Sequence, residues 1–407
     1  MIDKGQVKSF LRSAQNELQN ILRFWIGRCQ DDEHGGFIGR MLNDGTILKD
    51  APKGLVLNAR ILWTFSAAYR FEKNGEYLEM ARRAYNYIMQ HFWDKQFGGA
   101  YWLLDHNGKP IDDRKELYGQ SFLIYGLSEY NLATGDNAAL EKAKELFRLI
   151  EEHCHDDVNR GYFETFGRDW SVAEKARLAT GDAREKKTMN THLHMLEAYT
   201  NLYRAWKDQK LGSRLKELIE IFHEHIVNAN THHLWLFFDE RWHSTKDIIS
   251  FGHDIEGSWL LCEAAEVLGD EHTTKQIQSL AMKMVQAVCD LGFDADGSIF
   301  YEAEGGHITD TRKVWWSQSE AVVGLINAYQ LSGQEHFLEA AQRCWSFIQG
   351  HIVDSEHGEW LWEAAQGGKP GDNESDESKF KVYEWKGPYH NGRVCLEIIR
   401  RLQEIVK

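Results

Sequence analysis

The sequence predicts an all-α fold, an (α/α)6 barrel of twelve helices with short β-hairpins at one end. Three observations carry that reading. Only four prolines (Pro52, Pro110, Pro370 and Pro388) occur in 407 residues, and long helices tolerate few. A short acidic–aromatic element recurs six times along the chain. Each recurrence is flanked by two helical patterns, one amphipathic and one apolar all round.

The recurring element opens on an acidic or amide residue, passes a turn residue, and runs into alternating aromatics. It stands at Asp32–Phe37, Asp94–Trp102, Asp157–Phe163, Asn230–Phe237, Asp294–Tyr301 and Asp354–Trp362. The leading residues are 62, 63, 73, 64 and 60 apart. A near-constant period of this size marks a repeat architecture, and the alternation itself reads as a short β-hairpin. Before each copy lies a one-faced helix. Val7, Phe10, Leu11, Ala14, Leu18, Ile21, Leu22 and Trp25 step by three and four. Leu140, Ala143, Leu146, Phe147 and Ile150 do the same, as an outer ring requires. After each copy comes a more uniformly apolar helix, near residues 54–70, 117–133, 190–206, 253–268, 317–331 and 389–405. A helix apolar round its circumference is buried. No polar capping repeat is visible, so the six pairs are expected to close rather than to stack as an open solenoid.

The repeat spans the whole chain, so residues 1–407 read as one catalytic domain. Formal charge is −15, with 43% hydrophobic and 27% charged residues. That is a soluble globular composition. The acidic balance argues against nucleic acid as a partner. No run of about 18 apolar residues offers a membrane span. Met1–Gly5 leads into no apolar stretch of a secretory signal, so a cytoplasmic location is expected. None of the six cysteines forms a C-x-x-C pair, and they read as buried thiols. A monomer or weak homodimer is expected.

The first turns of the inner helices carry polar residues that burial alone does not call for. They are Asn58 and Arg60 with Trp63, Tyr118 and Gln120, Asn190 and His194, His253 and Glu256, Trp316 and Gln318, and His390 and Arg393. In a closed barrel all six starts point to one mouth. Buried polar groups are costly unless satisfied, so this mouth is expected to bind a polar ligand or to be densely hydrogen-bonded. Helix N-termini there favour a developing oxyanion and keep a nearby imidazole neutral. His194, His253 and His390 are the candidate acid/base groups. His243, His307 and His351 read as surface or loop residues, and His232 and His233 stay ambiguous. Without H-E-x-x-H or an obvious carboxylate triad, no metal is expected.

Several longer motifs stand in order along nearly the whole chain. They are Lys53-Gly54 with Leu57-Asn58-Ala59-Arg60-Ile61-Leu62-Trp63, Lys187-Thr188-Met189-Asn190-Thr191-His192-Leu193-His194, Gly252-His253-Asp254-Ile255-Glu256, Trp315-Trp316, and Glu384-Trp385-Lys386-Gly387-Pro388-Tyr389-His390-Asn391-Gly392-Arg393. In these the sequence resembles the N-acylglucosamine 2-epimerase superfamily, most of all its disaccharide-directed branch. The resemblance implies the (α/α)6 barrel again. It implies reversible inversion at C2 of the reducing-end sugar of a β-1,4-linked disaccharide, cellobiose to glucosyl-mannose and lactose to epilactose. No metal or nucleotide cofactor is expected from that branch. Carried over residue by residue, His253 and His390 are the acid/base pair and His194 holds the oxygens on C1 and C2. Arg60, Tyr118, Asn190 and Glu256 bind the reacting sugar, together with Asn58. Trp316 and Trp385 stack on sugar rings, and Asp182 lies near the second sugar.

The chemistry of such an inversion calls for two bases. A C2 hydrogen is acidic only beside an aldehyde, so the ring opens first. Deprotonation leaves a planar cis-enediolate, and inversion returns the proton to the opposite face. Two opposed groups titrating near neutrality do this simply. The insertion at Arg168–Lys187, which makes the interval of 73, is expected to cover a second sugar. Gln366–Lys379 reads as a flexible loop that gates the site. Three other readings stay open at this point. One is a monosaccharide 2-epimerase or aldose–ketose isomerase, which shares the enediolate. Another is a glycosidase using Glu256 and Glu320. The last is a sugar-binding protein without catalysis.

Overall fold

The computed structural model describes residues 4–172, 185–364 and 377–406. The described residues form twelve α-helices: α1 (Lys4–Arg28), α2 (Leu55–Phe71), α3 (Gly75–Tyr87), α4 (Leu117–Thr134), α5 (Asn137–His153), α6 (Met189–Ala205), α7 (Gln209–Ile221), α8 (Phe251–Leu268), α9 (Glu271–Leu291), α10 (Trp315–Ser332), α11 (Glu335–His351) and α12 (Tyr389–Val406). The even-numbered helices pack side by side in sequence order, and α12 returns to α2, closing the inner ring. They are buried along nearly their whole length. The odd-numbered helices bury one stripe each, as α5 does with Ala139, Ala143, Leu146, Phe147 and Ile150.

The pairing of helices differs from the order in which the sequence motifs were read. Each outer helix packs on the inner helix that precedes it, and α1 completes the ring against α12. The reason lies in the connections. Gly135, Gly269 and Gly333 end α4, α8 and α10 in the left-handed conformation, and Asp136 and Asp270 cap the next helix at once. Such short turns force antiparallel neighbours. The long connection, outer to next inner, carries the repeated element.

That connection supplies the strands of the described residues: β1 (Met41–Leu42), β2 (Lys53–Gly54), β3 (Leu103–Leu104), β4 (Pro110–Asp112), β5 (Lys115–Glu116), β6 (Thr165–Phe166), β7 (Lys187–Thr188), β8 (Phe237–Phe238), β9 (Ile248–Ser250), β10 (Glu302–Glu304), β11 (His307–Asp310) and β12 (Phe380–Val382). They lie at the end where the inner helices start, as expected. Among these strands β3–β4 and β10–β11 pair as local hairpins, and single antiparallel bridges such as Trp93–Ala100 and Val353–Trp360 close the acidic–aromatic turns. The other pairings run from one repeat to another: β2 to β3, β5 to β6, β7 to β8, β9 to β10, and β1 to β12. The strands thus lace the repeats together around the mouth.

Five of the six acidic loops are locked by the same device. The leading carboxylate accepts backbone N–H groups of its own turn and a lysine that precedes an inner helix, buried in each case except Lys313. Lys53 reaches Asp31 at 2.6 Å, Lys115 reaches Asp94 at 3.2 Å, and Lys187 reaches Asp156 at 2.8 Å. Lys313 reaches Asp294 at 3.0 Å and Lys381 reaches Asp354 at 2.6 Å. The locking residues are therefore Asp31 and Asp156, not their neighbours Asp32 and Asp157. In the fourth copy Asn228, not Asn230, takes the N–H groups of the turn. That copy has lost both charges together, since buried Ile249 holds the place of the lysine. Removing one partner alone would leave an uncompensated buried ion. Glycine is needed in these turns. At Gly161, with φ +72°, an added Cβ would lie 2.4 Å from Trp242.

Among the described residues, the buried carboxyl of Glu164 in this belt faces no cation. Glu164 accepts the Thr188 N–H, and burial pushes it up to about 8. A carboxyl raised in the folded state binds a proton that the unfolded chain releases near 4.5. Stability is therefore lost as pH rises from about 4.5 through about 8. Glu164→Gln keeps the acceptor and removes this titration. We expect its Tm to match the parent near pH 5 and to exceed it by ~2–4 °C at pH 8.5, followed by calorimetry. A gap independent of pH would refute the assignment.

Candidate active site

The lacing brings the starts of the inner helices to one cavity of about 200 Å³. It is lined by Arg60, Tyr118, Asn190, His194, His253, Glu256, Tyr301, Trp315, Trp316, Trp362, Trp385 and His390. Nine of the residues expected from sequence thus converge: Arg60, Tyr118, Asn190, His194, His253, Glu256, Trp316, Trp385 and His390. Asp182 lies outside the described residues, as do most of the two loops, Arg168–Lys187 and Gln366–Lys379, that were expected to cover the mouth. Within the first loop, Arg168 is described and pairs with Asp94 at 2.9 Å.

Asn58 does not line the cavity. Its Nδ2 donates to Gly54 O at 2.8 Å in its own helix start. Gln120 and Gln318 also turn away from it. Gln120 holds both the N–H and the C=O of Ala100, at 2.9 and 2.8 Å, and Gln318 holds Ile299 likewise at 2.9 Å. His192 accepts the Tyr162 N–H at 3.0 Å, and Asp254 accepts from Leu234 N–H at 2.7 Å while pairing with His233. Gln120, Gln318, His192 and Asp254 thus tie down the loop backbone, whereas the Asn58 Oδ1 is buried without a hydrogen-bond partner among the described residues. The reading for His233 is thereby settled as structural, and His243 is exposed.

Each cavity histidine is held by Nδ1. His194 meets Glu197 at 3.0 Å, His390 meets Glu320 at 2.7 Å, and His253 meets the Ser250 hydroxyl at 2.8 Å. A carboxylate can only accept, so Nδ1 carries the proton in His194 and His390, and Nε2 is left as the basic nitrogen. Burial lowers all three, His253 to about 3. Arg60 and Arg393 lower His390 further, while the Glu197 carboxylate opposes the shift at His194. All three are neutral at pH 7, as a base requires. The rings of His253 and His390 both face the Trp316 indole, with centroids at 4.6 and 5.8 Å.

Behind the histidines Arg393, 2% exposed, spans the barrel. Its Nη1 donates to Glu197 and to the Tyr389 hydroxyl, which itself donates to Glu197. Its Nη2 donates to Glu256 at 2.5 Å and to Glu320 at 2.7 Å. Glu197 would be raised by burial, but Arg393, His194 and Tyr389 outweigh it and hold the carboxyl at about 2. Glu256 is pushed up, by burial first and then by the Glu320 charge. Arg60 donates from Nη2 to the Tyr118 hydroxyl at 3.0 Å and from Nη1 to the Trp385 carbonyl. Burial raises Tyr118 to about 12, so it stays a phenol able to donate.

Sequence reasoning missed Tyr301, Trp315 and Trp362 in the lining, and Glu197 behind it. Tyr301 and Trp362 end the fifth and sixth aromatic runs, a signal that was present. Glu197, three residues after His194 on one helix face, was also accessible to spacing.

Two alternative chemistries meet this geometry poorly. Glu256, Glu320 and His390 place potential ligand atoms within 4.8 Å of one another, but the cation among them is the Arg393 guanidinium. Glu256 and Glu320 both bind Arg393 Nη2, at 2.5 and 2.7 Å, an arrangement unlike the pair that flanks a water about 6.5–9.5 Å apart in an inverting glycosidase. No described helix is long and apolar enough to cross a membrane.

A barrel with this histidine-lined mouth is the architecture of a carbohydrate epimerase. The chain belongs to the N-acylglucosamine 2-epimerase family, whose model matches residues 36–385. It is 46% identical over 391 residues to a cellobiose 2-epimerase of Bacteroides fragilis, covering 95% of this chain and 98% of that one. A cellobiose 2-epimerase of Dictyoglomus turgidum is 40% identical, over 94% and 96% of the two chains. The solved cellobiose 2-epimerase of Bacillus thermoamylovorans superposes with a TM-score of 0.91 at 40% identity, over 97% of this chain and all of that one.

Proposed function

We propose that this enzyme inverts C2 of the reducing-end sugar of a β-1,4-linked disaccharide, converting cellobiose to glucosyl-mannose and lactose to epilactose. The observation that carries the reading is the pair His253 and His390. They come from helices far apart in sequence, face one indole in one cavity, and each has Nδ1 tied so that Nε2 is left for proton transfer. The opened sugar lies between them. One imidazole takes the C2 proton and the other returns one to the opposite face, each role typically contributing about 10²–10⁴ in rate. Arg60, the Tyr118 phenol and His194 surround the oxygens on C1 and C2, where charge develops in the enediolate. That negative charge raises the basicity of the depressed histidines as the proton moves. Trp316 and Trp385 offer apolar faces for sugar rings. The strong likeness to cellobiose 2-epimerases over the full length supports the disaccharide over a monosaccharide.

The test is incubation with cellobiose, lactose and mannose in D₂O, read by NMR. Both disaccharides are expected to epimerise with one deuterium at C2 of the product, and mannose to react poorly. Product without deuterium would indicate oxidation–reduction or bond rotation. Preferential turnover of mannose would move the substrate to monosaccharides, and free glucose from cellobiose would indicate hydrolysis.

A further inference from the structure

Of the three cavity histidines, only His253 is backed by a neutral group. Ser250 precedes α8 and is 3% exposed. A serine at this position usually accepts a backbone N–H of the first helical turn. Ser250 makes no such bond. Its Oγ meets His253 Nδ1 at 2.8 Å instead. Its backbone is fixed independently, since Ser250 pairs with Glu302 between β9 and β10. The side chain thus contributes to neither cap nor ladder.

We propose that Ser250 is a positioning residue for the reaction, fixing the rotation of the His253 ring so that Nε2 stays directed to the sugar carbon. The inference rests on the acid/base reading of His253. During a cycle Nε2 alternates between bare and protonated while Nδ1 keeps its hydrogen, and a hydroxyl oxygen accepts that N–H in both states. A hydroxyl supports the imidazolium less than a carboxylate does, because charge-assisted hydrogen bonds are roughly twice as strong. His253 is therefore the cavity histidine most easily returned to the neutral form. Around it stand His194 from α6, Glu320 from α10, His390 from α12, Tyr301 and Glu302 at β10, and Glu256 one turn along α8. Among the described residues Ser250 is the hydrogen-bond partner of its Nδ1.

The test compares Ser250→Ala, Ser250→Thr and Ser250→Asp in kcat, KM and pH profile on cellobiose. The alanine variant is expected to lose about ten- to a hundredfold in kcat with KM within about twofold, part of the effect of a full acid/base group. Losing an acceptor that supports the charged ring lowers its pKa, so the acid limb of kcat/KM moves to lower pH. Threonine keeps the hydroxyl and restores kcat to within about threefold of the parent. Aspartate moves the acid limb to higher pH. An alanine variant with the parent's kcat and profile overturns the proposal, as does a threonine variant no better than alanine. Both hold even if the aspartate variant does not fold. His253→Ala separates the two levels. If it stays active, the acid/base reading falls. If it is inactive while Ser250→Ala is unimpaired, only the role of Ser250 falls.

Discussion

His253→Ala and His390→Ala are each expected to lower epimerisation by at least about 10²–10⁴, the usual worth of a positioned acid or base. Helical circular dichroism should be unchanged, because neither truncation strands a buried charge. Glu320, the partner of His390, remains bound by Arg393 at 2.7 Å and by the Trp259 indole at 3.1 Å. Ser250, the partner of His253, is neutral. Isotope exchange sharpens the test. With one imidazole left, the enzyme can still remove and return the C2 proton on that imidazole's side. Each variant should then wash deuterium into one epimer without inverting it, and the two variants should select opposite epimers. Near-parental turnover in either would end the two-base reading. Exchange into the same epimer by both would place the two rings on one side of the sugar.

The architecture was legible because helix periodicity and a period near 62 residues are properties of the chain itself. Element identity survived to the structure almost residue for residue, as with α4 and α10. The locking residue of each acidic loop was less legible. Asp31 and Asp32 are chemically equal in the sequence, as are Asp156 and Asp157. Only the arrival of Lys53 or Lys187 from the next strand selects one of them. Which helix packs on which was obscured for a similar reason: motif order along the chain groups an outer helix with the inner helix that follows it, whereas the short turns group it with the one before.

The site was legible to the same depth. Residues two apart on a helix point to nearly opposite sides, whereas residues four apart share one. Gln120 therefore could not join Tyr118 at the cavity, nor Gln318 join Trp316, nor Asn58 join Arg60. Reading each first turn as one polar cluster merged two faces with different tasks. One face, represented by Tyr118, Asn190, His194 and Trp316, lines the cavity. The other, represented by Gln120, His192, Asp254 and Gln318, ties down the loop that holds the mouth in shape. Spacing pairs such as Asn190 with His194 survived because four residues return to the same face.

Arg393→Met is expected to destabilise the barrel more than any cavity-facing change. Its planar side chain, with the guanidinium 4.8 Å from the Trp259 ring and 4.4 Å from Tyr389, holds Glu197, Glu256 and Glu320 at once. Methionine fills much of the volume but leaves three carboxyls without a cation. Breaking a buried ion pair by removing one partner typically costs ~3–5 kcal/mol. The sign with pH follows from Glu197. In the parent its carboxyl is held at about 2, so its contribution is present above about 4.5 and lost as pH falls toward 2. Without Arg393 burial dominates: Glu197 rises above its unfolded value and Glu256 and Glu320, already raised in the parent, rise further, so stability is lost as pH rises instead. The gap in Tm between parent and variant should therefore widen from pH 5 to pH 8. Adding Glu256→Gln to the variant should narrow it, since one uncompensated charge is gone. Turnover should also fall, because His194 and His390 depend on carboxylates that Arg393 fixes. A Tm gap that stays constant across this range would show that the guanidinium acts by packing rather than by charge.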